Sequence, residues 1–209
     1  VRVLVGITGA SGAAFAIDFL KRCPGERFLI VSDWGKAVLK DELGLTPADL
    51  APWVTRTFAD SDLAAPFSSG SIRHDAFVIV PCTISTMAKI AAGIADTLIT
   101  RAAAVTLKER MRLVLALRET PLSTGMLENA LRVSRDGGII APIMPPFYNR
   151  PQTLDEAVAG FTAKLLALCG AEAGPGWHED RLQPGNTAAS PPEDPAARPD
   201  ATGPKRGAP

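Results

Sequence analysis

Apolar residues occur along this chain in short aliphatic runs, and between the runs they spread to the three-and-four spacing of helices with one buried face. The runs Val1–Ile7, Arg27–Val31, Asp75–Val80, Leu113–Leu117 and Gly138–Ala141 predict strands. The segments Gly12–Arg22, Lys36–Leu43, Ser85–Ala92, Ile99–Arg110, Leu122–Ser134 and Leu154–Leu168 predict helices. Strand and helix in alternation mark an α/β protein, a Rossmann-like three-layer fold with a parallel sheet between helices. No internal repeat interrupts the pattern. From Gln183 the chain turns to Pro, Ala and Gly with almost no large apolar residues, which cannot bury enough surface to offset ordering entropy. The expectation is one folded domain over residues 1–182 and a disordered tail over 183–209 that contributes nothing to chemistry.

The length of 209 residues suits a single α/β domain with a substantial core. Lysine and arginine number 22, and aspartate and glutamate also 22, so the balanced charge lacks the basic footprint of a nucleic-acid binder. Any phosphate site must be local. Cys23, Cys82 and Cys169 are an odd number without metal-ligand spacing, and only His74 and His178 could assist them. A reducing cytoplasm fits best, no metal is expected, and no apolar run reaches the roughly 20 residues that span a bilayer. Val1 to Val5 has neither a basic n-region nor a cleavage site, so a protein that is not exported is expected.

Candidate chemistry gathers where strands end. Val1–Ile7 runs into Thr8-Gly9-Ala10-Ser11-Gly12, a turn that admits either of two readings. Small residues before a helix let a phosphate approach the backbone N–H groups, the helix dipole and the Ser11 hydroxyl; a tight strand-to-helix turn also needs glycine for packing. Gly6, Gly9 and Gly12 are spaced by three, which is not the dinucleotide fingerprint, so a mononucleotide suits the turn better. Ser32, after the second strand, is either a second ligand contact or the N-cap of the next helix. The run Ala76–Val80 ends in Pro81-Cys82-Thr83-Ile84-Ser85-Thr86, whose hydroxyls and amides at a helix start can form an anion site. Cys82, beside a proline at a strand end, reads as a buried small hydrophobe rather than a nucleophile.

Lys108 closes one predicted helix and Arg118 the following strand. Sequential elements are usually neighbours, so the two cations could flank a leaving phosphate, Arg118 as a bidentate fork and Lys108 as a point charge. The competing reading is a solvated basic helix end.

The chain resembles the UbiX-type flavin prenyltransferases, flavoproteins that share their fold with flavin-dependent cysteine decarboxylases. The likeness spans roughly residues 3–170 and rests on five ordered blocks: GITGASG at 6–12, Ser68-Ser69-Gly70-Ser71, VPCTISTMAKIAAGIADTLITRAAAVTLKER at 80–110, LRETPLS at 117–123 with LEN at 127–129, and PPFYNRPQT at 145–153. It implies an FMN site of Gly9, Ala10, Ser11, Ser32, Thr83, Ile84, Ser85, Thr86 and Arg118. Dimethylallyl monophosphate would be held by Lys108, Arg118, Tyr148 and Lys164. The implied reaction ionises the allyl–phosphate bond, joins the carbon unit to the central-ring nitrogen of reduced FMN and closes a fourth ring. Glu119 and Glu42 are candidates for the proton transfer that closure needs, with released phosphate as another possible base. The family also implies a homo-oligomer, a dodecamer built from trimers with active sites at subunit junctions. Its product, prenylated FMN, goes to a partner decarboxylase of the UbiD type.

Two departures from the family pattern stand out. Leu63 occupies a place where many relatives carry tryptophan, and Lys164 one where several carry arginine. Trp177 could cover the site from a neighbouring subunit or anchor the end of the fold. The alternatives are an FMN-dependent decarboxylase of a cysteine-derived substrate and a non-enzymatic flavin carrier. Against the former, Pro142-Ile143-Met144-Pro145 lacks the asparagine of that group's Pro-x-Met-Asn motif, and His74 precedes a strand instead of following the second one.

Overall fold

Neighbouring residues of each strand feed different layers, because strand side chains alternate between the faces of a sheet. The structure, a computed structural model, describes residues 1–171. On β1 (Arg2–Ile7), Val3, Val5 and Ile7 fall in one buried layer and Leu4 in the other. The same division continues through β2 (Glu26–Val31), β4 (Ala76–Cys82) and β5 (Arg112–Leu117). With β3 (Arg56–Ala59) and β6 (Ile139–Ile140) these strands form one parallel sheet in the order β3-β2-β1-β4-β5-β6.

Six helices cover the sheet. α1 (Ala13–Arg22) and α6 (Leu154–Leu168) pack on one face, where Phe19, Leu20 and Leu165 are fully buried. α3 (Ile84–Ala91), α4 (Leu98–Lys108) and α5 (Thr124–Arg135) pack on the other, around Phe77, Met87 and Leu98. Each such side chain removed from water stabilises the fold by about 1.5–3 kcal/mol, which makes the two layers the main source of stability. α2 (Asp33–Leu43) sends Leu39 into the first layer.

All predicted elements are present with ends moved by up to three residues, α2 starting at Asp33 instead of Lys36, and two further differences stand out. β3 was not expected: of Arg56-Thr57-Phe58-Ala59 only Phe58 is buried, so this edge strand has no apolar run to betray it. β4 continues through Pro81 to Cys82, past the predicted end at Val80, and its register with β5 shifts between Ile79 and Cys82. A proline is tolerated where the ladder is already irregular. The predicted tail from Gln183, together with Trp177 and His178, lies outside the described residues.

Candidate active site

The strand order reverses between β1 and β4, and in open α/β sheets the crevice beyond the carboxyl ends at such a point receives ligands. Thr8, itself buried, ties the two strand ends together. Its amide and hydroxyl donate to the Pro81 carbonyl at 3.2 and 2.8 Å, and its Oγ1 accepts the Thr83 amide at 2.9 Å. Beside this latch opens a cleft of about 520 Å³, lined by Gly9, Ser32, Thr83, Ser85 and Thr86 among the expected residues.

The roof of the cleft depends on two glycines. A Cβ at Gly9 would stand 2.4 Å from the Trp34 Cβ, and one at Gly35 would stand 2.5 Å from the Ile7 carbonyl oxygen. Any larger residue would push the first turn of α2 off the end of β1. That contact sets the α2 N-terminus over the Gly9 turn.

Among the described residues four helix N-termini border this cleft, and the protein's own carboxylates occupy two of them. Glu42 Oε2 accepts the Gly12 and Ala13 amides at 3.0 and 2.8 Å, filling the start of α1. Asp60 serves α4: Oδ1 accepts the Ile99 amide at 2.9 Å and its carbonyl the Leu98 amide at 2.7 Å. The other two carry neutral hydroxyl caps. Ser32 Oγ accepts the Gly35 amide at 3.0 Å on α2, and Thr83 Oγ1 accepts the Thr86 amide at 3.0 Å on α3. A second anion at the amides of α1 or α4 would meet a like charge held directly on them, whereas the α2 and α3 amides are capped by hydroxyls, and the one carboxylate in the first turn of α2, Asp33, is paired with Lys36 at 2.7 Å. Of the expected Gly9-Ala10-Ser11 turn, Gly9 lines the cleft, Ala10 is buried, and the exposed Ser11 adjoins Glu42, whose carboxylate already meets the α1 amides. For Ser32, contact with the cleft and capping of α2 coexist.

Glu42 is more than an exposed helical carboxylate. Desolvation pushes its pKa up, but the Ser11 hydroxyl, the Ala13 and Gly12 amides and the Arg118 guanidinium together outweigh this and hold it below the ordinary value. Arg118 therefore lies within electrostatic reach of Glu42, at the carboxyl end of β5, where its amide donates to the Cys82 carbonyl at 3.2 Å. Glu119 follows in the exposed turn and accepts the Thr120 amide at 3.0 Å.

Lys108 is elsewhere. It ends α4 before β5 begins, next to Gly70 and paired with Glu109, at the amino edge of the sheet. The six residues of β5 separate it from Arg118, which at about 3.3 Å per residue is roughly 20 Å. Within one chain the two cations cannot flank one phosphate; the pairing read from chain order fails because a strand carries its ends to opposite edges. Tyr148 lies on the short turn Phe147–Asn149 and is 67 % exposed. Gly160 of α6 meets Pro146 and Asn149 of that segment, and Lys164 is exposed one helical turn further on the same side. Ile84 is half-buried, its side chain packed against the second core layer.

Sequence reasoning did not single out several residues that line the cleft: Thr8, Trp34, Asp60, Lys89, Thr97 and Thr100. Thr97 and Thr100 form a reciprocal cap on α4, a signal of the kind that a Thr-x-x-Thr pair carries. Asp60 was hidden with the strand before it. Cys82 is fully buried and its thiol is pushed far up by desolvation, which fits a core residue. Among the described residues no group of three or more His, Cys, Asp or Glu side chains could hold a metal, and no helix is long and apolar enough to cross a membrane.

A hydroxyl-lined cleft at the switch point of a parallel sheet, with two helix N-termini open to an anion, defines a mononucleotide-binding α/β protein. Residues 1–157 match the Flavoprotein family. The chain is 46 % identical over 170 residues to the flavin prenyltransferase UbiX of Thermoplasma acidophilum, covering 81 % of this chain and 94 % of that one. Two solved structures superpose with a TM-score of 0.81. One is AnUbiX (PadA1) in complex with FMN and dimethylallyl pyrophosphate, 38 % identical and covering 84 % of this chain and 98 % of that one. The other is a dodecameric FMN-dependent UbiX-like decarboxylase from Escherichia coli O157:H7, 40 % identical and covering 85 % of this chain and 99 % of that one. The chain belongs to the Flavoprotein family and, within it, to the UbiX-type flavin prenyltransferases.

Proposed function

We propose that this chain transfers a dimethylallyl group from its phosphate ester to reduced FMN, at sites completed where subunits meet. The observation that carries the FMN reading is the cleft itself. Its volume, its hydroxyl lining and its two hydroxyl-capped helix N-termini fit a planar heterocycle with a phosphate tail. Ser32 and the Thr83–Thr86 turn would hold the phosphate, away from the amides taken by Glu42, and Gly9 with the adjoining Ala10, Ser11 and Arg118 would hold the ring system. Reduced FMN, when bound, supplies the nucleophilic nitrogen and the ring carbon that receive the five-carbon unit.

The chain's own residues supply the rest. Arg118 offers a bidentate fork to the leaving phosphate, and fixed positive charge there favours departure of the allyl group. Tyr148 and Lys164 bind the donor phosphate from the surface they share. Glu119, exposed beside Arg118, takes the proton released at ring closure. Lys108 reaches such a site only from a second copy, which accounts for its place at the far edge of the sheet. The dodecameric relative from Escherichia coli O157:H7 supports a closed assembly of this kind. Three buried, unpaired cysteines fit a reducing cytoplasm, and the product passes to a decarboxylase of the UbiD type that uses prenylated FMN.

The deciding experiment is mass analysis of the flavin after anaerobic incubation of the full-length chain with reduced FMN and either dimethylallyl monophosphate or diphosphate. We expect a flavin heavier by one five-carbon unit with the monophosphate. Unmodified FMN with both donors would leave a flavin carrier or a decarboxylase as the better reading.

A further inference from the structure

We propose that Trp34 is the aromatic wall of the cleft and stacks against bound FMN, a role that rests on the flavin reading above. Trp34 is 78 % exposed, unusual for the largest apolar side chain, yet its backbone is fixed. The Ser32 cap, the close pass of Gly35 beneath the Ile7 carbonyl and the contact of the Trp34 Cβ with Gly9 hold the first turn of α2 over the end of β1. Trp34 is therefore presented on a rigid support and not on a loose loop. Among the described residues that line the cleft it is the only aromatic one, set among serine, threonine and aspartate with Gly9, Lys89 and Ile99. Such a lining can position a sugar and a phosphate through hydrogen bonds but, Trp34 aside, offers a tricyclic ring no aromatic face. The indole supplies that face, and stacked aromatic pairs attract each other beyond the burial of their area. Trp53 contrasts with it, half-buried against the core with Lys21 Nζ 4.7 Å from its ring centroid.

The test is titration of the full-length protein with FMN, followed by tryptophan fluorescence and, separately, by ultrafiltration. Native protein should bind FMN with strong quenching. Trp34→Leu should lose most of that quenching and bind about ten-fold more weakly, the equivalent of about 1.4 kcal/mol. Its thermal midpoint should stay unchanged, and Trp34→Phe should restore affinity to within about three-fold of native. Native affinity in Trp34→Leu would overturn the proposal. So would a loss of affinity that accompanies loss of the oligomer in size-exclusion chromatography, because the indole would then cover a neighbouring subunit instead of a flavin. If the native protein does not bind FMN at all, it is the flavin reading itself that fails.

Discussion

Glu42 closes the start of α1 from the far end of α2, accepting the Ala13 amide at 2.8 Å and the Gly12 amide at 3.0 Å across about thirty positions of sequence. Because its folded pKa lies below the ordinary value of 4.5, its charge favours the folded state above that value. The contribution is lost as pH falls through the folded pKa. Glu42→Gln should lower stability at pH 7 by a few tenths of a kcal/mol, since the site is partly exposed and solvent screens it. The difference from native should shrink steadily below about pH 4.5, as measured by urea midpoints at a series of pH values. A difference that does not vary with pH would show that the carboxylate acts through shape alone.

Gly9→Ala places a methyl group 2.4 Å from the Trp34 Cβ. The first turn of α2 must shift, at a cost of about 1–3 kcal/mol. FMN affinity should fall by at least about ten-fold, because Ser32 moves with that turn. Calorimetric titration with FMN checks this, and native affinity in the variant would remove the α2 N-terminus from the site.

Lys108 and Arg118 sit at opposite ends of β5, so a site that uses both draws them from different subunits. Lys108→Ala and Arg118→Ala should each abolish prenylation alone. Co-expressed, they should assemble some junctions with both cations intact, restoring roughly a quarter of native activity if subunits mix at random. Absence of any restoration in verified mixed oligomers would show that Lys108 does not act across a junction.

Glu119→Gln keeps shape and hydrogen bonding but cannot accept a proton. Turnover should fall by roughly 10²–10⁴-fold while FMN affinity stays within about two-fold of native. Native turnover would move the proton transfer to phosphate, Glu42 or water.

His74 is buried, with its Nε2 2.9 Å from the Thr106 hydroxyl. Desolvation, aided by Arg73, pushes its pKa down to about 4, against about 6.5 in an unfolded chain. The unfolded state therefore takes up a proton first on acidification, so stability falls as pH drops from about 6.5 to about 4, by at most roughly 3 kcal/mol. His74→Gln can keep the bond to Thr106 but does not titrate. Its urea midpoint should lose less than the native one between pH 7 and pH 4.5.

The element order, the α/β class and the hydroxyl-bearing strand ends are legible in the chain, because burial imposes a period of two on strands and a three-and-four spacing on helices, whichever partners they find. So were Ser32 and the Thr83–Thr86 turn, since hydroxyls directly after an apolar run fall at helix starts beyond a parallel sheet. Local pattern could not show β3, whose four residues bury only Phe58, nor Asp60, which follows it. Trp34 was hidden for a different reason: its exposure comes from the close pass of Gly9 and Gly35, a contact between α2 and β1 that no local pattern encodes. The folded chain alone decided that Glu42 accepts the amides at the start of α1, and that Lys108 and Arg118 lie on opposite edges of the sheet. Both outcomes follow from packing: α2 brings its last turn back to Gly12, and the six residues of β5 carry the chain between the two cations across the whole width of the core.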